Sequence, residues 1–249
     1  MTDPLRPFWD FDDLDATEAR FHVLRAEILT QLARVHGLRD DFAAGDRLLD
    51  EAAATESPVL AARVALERGR LRRSSGDAES ALPLFERAFA VANETGETFL
   101  AIDAAHMAAI VAPATEDREE WARRGIALAE ESDVPDVRRW LGSLWNNVGW
   151  DRFERGDHAD ALTAFEQALQ AYDQGEQLQL ARYAVAKALR ALGRANEAIA
   201  LLELAVAETP EPDGWFHHEL AESYTAIGDE TQATEHARIA ANLRPDGGY

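Results

Sequence analysis

The 249-residue chain has no cysteine, two methionines and a single lysine, Lys187. Without cysteine there is no disulfide scaffold, no thiol nucleophile, no thiolate metal site and no iron–sulfur ligation. Positive charge is scarce, with 25 Lys+Arg against 46 Asp+Glu and a formal net charge of -21. General nucleic-acid affinity needs clustered basic residues to displace counterions, so none is expected. Long apolar runs are missing too. No uncharged apolar stretch reaches the roughly 18 residues of a membrane span, and Met1–Asp10 lacks the charged-then-apolar order of a signal peptide. A cytoplasmic chain is the expectation.

Catalytic signatures are equally sparse. The sequence holds no G-x-x-x-x-G-K-[ST], G-x-G-x-x-G, G-x-S-x-G or H-E-x-x-H. Of seven histidines only His217 and His218 are adjacent, and helical neighbours point about 100° apart, which suits one metal ion poorly. Asp103 and His106, one turn apart, read as a helix-surface pair rather than a ligand set. The acidic run Glu116–Glu120 suits the positive end of a helix dipole, not a paired acid–base site. No enzyme, no cofactor and no metal are expected.

What the chain does have is helix. Apolar residues make up 47% of it, enough for a core, and they recur at intervals of three and four. No alternating strand pattern appears. Asp15 and Glu18 read as a capping box opening a helix to about His36, and Ser57-Pro58 as N-cap and first helical residue. Asp77, Thr115, Asp157 and Asp229 read as further caps, Pro135 and Pro212 as helix starts, and Gly76, Gly156, Gly193 and Gly228 as turns between helices. Pro83, inside an expected helix from Asp77 to Glu94, predicts a kink or a delayed start.

The helices repeat. Gly156-Asp157, Ala161, Phe165 and Ala168 recur at the same spacing as Gly76-Asp77, Ala81, Phe85 and Ala88. They recur again as Gly193, Ala198, Leu202 and Ala205 before Pro210, and as Gly228-Asp229, Ala233, Ala237 and Ala240 before Pro245. Looser copies carry Gly45, Leu49 and Ala52, and Ala122, Ile126 and Ala129. In front of two units stand Trp145-x-x-Val148-Gly149 and Leu220-Ala221-x-x-Tyr224. This pattern resembles the tetratricopeptide repeat family, whose signature is W-x2-L-G-x2-Y, then A-x3-F, then proline. The resemblance implies an all-α, right-handed α-solenoid of about six helix-turn-helix repeats over 16-57, 58-95, 96-133, 134-174, 175-210 and 211-245. An acidic-aromatic segment, 1-15, precedes them and a tail, 246-249, follows. One such hairpin cannot bury its apolar face alone, so neighbours must stack.

The resemblance also implies that ligands bind the concave face of each first helix. The exposed positions there hold Arg34, Arg63, Arg70, Arg73, Lys187 and Arg190 against only Glu27 and Glu222, the reverse of the chain's overall balance. Arg34, Arg63, Arg70, Lys187 and Arg190 would meet carboxylates. Met107, Trp150 and Tyr183 would supply apolar area, and Asn146 would hold a peptide amide. The arginines also admit a blander reading, as pairs with acids one turn away on their own helix, such as Arg63 with Glu67. Trp145 and Tyr224 match core positions of the repeat. Expected function is therefore a protein- or peptide-binding adaptor for an extended acidic, partly apolar segment; the alternatives are a ligand-sensing regulatory module and a self-assembling structural module. Partners would be a protein or peptide, the chain's own Phe8–Asp13 segment, or a second copy.

Overall fold

A computed structural model describes residues 3–209 and 214–243. Pro210, Pro212, Pro245 and the tail 246–249, all given roles by sequence, lie outside the described residues. The chain divides into two compact units, Met1–Glu131 and Ser132–Tyr249. The first unit opens with a 3-10 turn, Arg6–Phe8. It continues as α1 (Leu14–Gly37), α2 (Phe42–Ala53), α3 (Pro58–Ser74), α4 (Ala78–Glu94), α5 (Thr98–Val111) and α6 (Thr115–Glu130). The second holds a short α7 (Pro135–Arg138), then α8 (Trp140–Glu154), α9 (His158–Gln170), α10 (Glu176–Ala191), α11 (Ala195–Glu208), α12 (Gly214–Ile227) and α13 (Glu230–Leu243). Apart from α7, successive helices pack as hairpins: α1 on α2, α3 on α4 and α5 on α6, then α8 on α9, α10 on α11 and α12 on α13. No strand occurs among the described residues.

Local chemistry explains most helix ends. The carboxylates of Asp77 and Asp229 accept the amides of Ser80 and Gln232, each at 3.1 Å, and Ser57 Oγ accepts Leu60 N–H. Gly76 and Gly156 close the hairpin turns at φ of 86° and 85°, a left-handed conformation that costs other residues energy. Four expectations need correction. Asp13, not Asp15, caps α1, accepting Ala16 N–H at 2.9 Å. Helical backbone starts at Leu14, so Asp15 is already inside the first turn, and Glu18 turns to His22 instead. The residue before α6 is Ala114 rather than Thr115, whose hydroxyl faces the Arg118 guanidinium inside the helix. Asp157 stands at the start of α9 without a side-chain cap bond. Pro83 does not delay α4, which runs unbroken from Ala78 to Glu94. Its missing N–H and ring clash cost about 3 kcal/mol in an isolated helix. Burial of Ala81, Phe85, Ala88 and Ala92 on the same helix offsets it.

The repeated small–large–small pattern is the packing unit. Ala161, Phe165 and Ala168 are fully buried, as are Ala198, Leu202 and Ala205. Each phenylalanine fills a space that a glycine opens on the facing helix. A Cβ on Gly149 would fall 2.3 Å from the Phe165 ring, and one on Gly69 would fall 2.5 Å from Phe85. The N-terminal segment folds back on α1. Phe8 and Trp9 lie on Phe21, with ring centroids 6.0 and 5.6 Å away. Asp10 N–H donates to Thr17 Oγ1 at 2.8 Å, and that hydroxyl donates back to Asp10 O at 2.9 Å.

Candidate functional site

In the first unit the first helices of the hairpins, α1, α3 and α5, carry an open pocket of about 330 Å³. Arg34, Gly37 and Leu38, then Arg70, Leu71, Arg73 and Ser74, and finally Met107 line it. Three of the nine residues singled out by sequence, Arg34, Arg70 and Met107, meet here. Behind the arginines stand two buried carboxylates. Arg34 Nε donates to Glu67 Oε2 at 3.0 Å and Arg70 Nη1 to Glu67 Oε1 at 2.7 Å. Arg70 also donates to Asp103, and Arg34 Nη2 lies 4.0 Å from the same carboxylate. Glu67 and Asp103 are 3% and 6% exposed. The four groups neutralise one another, so each guanidinium is held in place but its charge is already offset. Arg73, exposed at the pocket edge, has no ion-pair partner among the described residues. The nearby His106 is pushed toward its neutral form by burial, against the pull of Asp103. Arg63 lies apart, 3.6 Å from Glu27, and Glu67 turns to Arg34 and Arg70 rather than to Arg63.

In the second unit, Trp150 on α8 meets the Phe165 ring edge-on with centroids 5.1 Å apart, and Tyr183 on α10 meets Phe216 on α12 at 5.8 Å. Both rings are half-buried against the core, so Trp150 is at once packed and presented. Lys187, one turn beyond Tyr183, places its ammonium 5.7 Å from the Trp150 ring centre and 5.6 Å from that of Tyr183. It has no carboxylate partner among the described residues; its one polar contact is the Tyr183 hydroxyl at 3.5 Å. Arg190 instead grips Glu219, which is 1% exposed, and lies 3.9 Å from Glu222. Its hydrogen bond to Glu219 holds the guanidinium pKa above the ordinary value. Asn146 is half-buried one turn before Trp150.

Reading the basic residues alone missed their acidic partners. Arg34 and Glu67 lie 33 residues apart, and so do Arg70 and Asp103. That separation is about one repeat, so a search for opposite charges at the repeat period would have exposed the ladder. The same blind spot hid a histidine pair in the last hairpin. His217 and His236 share a hydrogen bond between their Nδ1 atoms at 2.9 Å, and Tyr224 stacks on His236. The Tyr224 hydroxyl donates to Glu203 at 2.6 Å, which pushes its pKa up to about 12. Burial lowers the pKa of both imidazoles, although Glu203 and Glu235 pull His236 the other way. The folded state therefore binds fewer protons than the unfolded chain as pH falls below the ordinary value of 6.5, and acid favours unfolding. Denaturant midpoints should fall between pH 7.5 and 5 in the native chain, and less steeply in a His236→Asn variant. Equal slopes would show that the pair does not carry the effect.

Residues 148–240 match the family model described as Tetratrico peptide repeat. No curated protein matches the chain. Solved structures do. BtubC (BKLC) from P. vanneervenii superposes with a TM-score of 0.65 at 14% identity, over 93% of this chain and 93% of that one. A Pyrococcus horikoshii signal transduction ATPase with numerous domains, which carries a tetratricopeptide repeat sensor, gives 0.74 at 12% identity. That match takes in 95% of this chain and 39% of the other. YrrB, described as a tetratricopeptide-repeat protein with an unusual peptide-binding site, gives 0.53 at 17% identity over 74% and 87%. At these identities the likeness is one of fold. Among the described residues no helix is long and apolar enough to cross a membrane.

Proposed function

We propose, from the premise that the chain is a tetratricopeptide-repeat protein, that it is a non-enzymatic adaptor holding an extended, acidic and partly apolar peptide on the exposed face of the first helices of its hairpins. The cytoplasmic expectation belongs to the same proposal. One observation carries the reading. Lys187, the only lysine of a chain with net charge -21, is set between two aromatic rings with no carboxylate partner among the described residues. A cation over ring faces keeps its attraction for an incoming carboxylate while the rings offer apolar area to a neighbouring side chain. In the first unit Arg73 lines a pocket with the apolar Leu38, Leu71 and Met107, a cation beside aliphatic rather than aromatic area. Arg34, Arg70 and Arg190 orient the ligand's polar atoms with guanidinium N–H groups that their buried carboxylates hold rigid.

The test is a peptide array of acidic sequences with interspersed leucine and phenylalanine. Lys187→Glu should weaken binding tenfold or more, equivalent to about 1.4 kcal/mol, with helical circular dichroism unchanged. Arg73→Glu is the matching variant in the first unit, because Arg70→Glu would break the buried quartet and confuse binding with folding. Undiminished binding of the same peptides by both variants would overturn the proposal.

A further inference from the structure

The last hairpin is joined by a bond between two titratable rings. His217 on α12 is 6% exposed and His236 on α13 is half-buried, and their Nδ1 atoms meet at 2.9 Å. One ring must donate there and the other accept. A first proton can enter at the donor ring's Nε2 and leave the bond intact. A second can enter only at the accepting Nδ1, where it sets two N–H donors and two positive charges against each other. Little else holds α13. Its buried side chains are two alanines, Ala233 and Ala240, so the histidine bond carries a large share of the contact with α12.

The charges around the pair have their own partners. On α11, Glu203 accepts the Tyr224 hydroxyl, and Tyr224 stacks on His236. On α13, Glu235 accepts Arg238, and Asp229 caps the helix through Gln232 N–H. His218 follows His217 on α12. Burial lowers both imidazole pKa values and His236 opposes a charge on His217, while Glu203 and Glu235 pull His236 the other way without reversing it. Below the ordinary value of 6.5 the closed hairpin therefore binds fewer protons than an opened one, and acid opens it. Helix α12 links this pair to the candidate site. Its Phe216 supports Tyr183 on α10 at 5.8 Å, and its Glu219 grips Arg190. Tyr183 in turn lies beside the Lys187 ammonium. We propose, resting on the adaptor reading above, that protonation of the His217–His236 pair opens the α12–α13 hairpin and releases a peptide held at Lys187 and Arg190.

Two readouts test the gate: hydrogen-exchange protection factors of α12 and α13, and affinity for an aspartate-rich peptide with interspersed leucine and phenylalanine. Aspartate stays ionised down to about pH 5, so the ligand itself changes little. In the native chain, protection of both helices and peptide affinity should each fall about tenfold from pH 6 to pH 5, the slope of one linked proton. In His236→Asn both should be flat over that range, although His158, which lies against Phe153 beside Trp150, still titrates there. Equal falls in the two proteins, or protection lost without loss of affinity, would overturn the gate. Absence of binding already at pH 7.5 would overturn the adaptor reading and the release that rests on it, while exchange, which needs no ligand, still decides the opening.

Discussion

A Glu67→Ala protein should lose about 3–5 kcal/mol of stability in the first unit, read from denaturant unfolding. Glu67 is 3% exposed and receives both Arg34 Nε and Arg70 Nη1, so its removal leaves two guanidiniums to share Asp103. The Arg34 side chain is 37% exposed and partly hydrated, so its share of the loss is screened. Arg70, at 17%, has less access to water and bears more of it. The sign of the coupling separates this account from a simple loss of packing. Glu67→Ala/Arg70→Ala restores one arginine to one carboxylate and should cost less than the sum of the single changes. Additive losses would mean that the quartet does not act as a unit.

The same quartet shows where reading the sequence stops. Helices, turns and the repeating Ala–Phe–Ala pattern were legible because they are local: each follows from residues within one or two turns. Phe165 and Phe85 fell in the core as their spacing requires. The start of α1 was misplaced by two residues because the reciprocal bonds between Asp10 and Thr17, seven residues apart, settle how the chain enters the helix. A capping pattern three residues long cannot report that. The delayed start expected from Pro83 fails for the opposite reason: burial of a whole helix face outweighs the local rule.

At the candidate site, residue types were legible and their charge state was not. Arg34, Arg70 and Lys187 look alike in sequence, as basic residues on the exposed face of first helices. Two of them are held by carboxylates from neighbouring helices and the third is held by rings. Surplus charge on one helix says little about a surface built from several, since each first helix brings its own acids to the seam. Glu67 lies 33 residues beyond Arg34 and Asp103 33 beyond Arg70, so stacking pairs them across helices, while Glu67 also meets Arg70 one turn away on α3.

Phe165→Ala should be as damaging in the second unit, at about 3–5 kcal/mol, since the fully buried ring leaves a cavity that rigid helices close poorly. Part of that loss is the edge-on contact with Trp150, about 0.5–1.5 kcal/mol for an aromatic pair. The facing glycine gives the complementary test. Gly149→Ala places a methyl 2.3 Å from the ring and should cost about 1–3 kcal/mol by overpacking. Gly149→Ala/Phe165→Leu should recover some of it, because the smaller side chain vacates the contested volume. Trp150 leans on Phe165 and Lys187 lies over Trp150, so Phe165→Ala should also weaken peptide binding through a ring that no longer has its support. A Phe165→Ala protein with native stability would mean that the hairpins are not organised around this ring. Native stability in Gly149→Ala would mean that the close approach of α8 and α9 does not depend on the missing methyl.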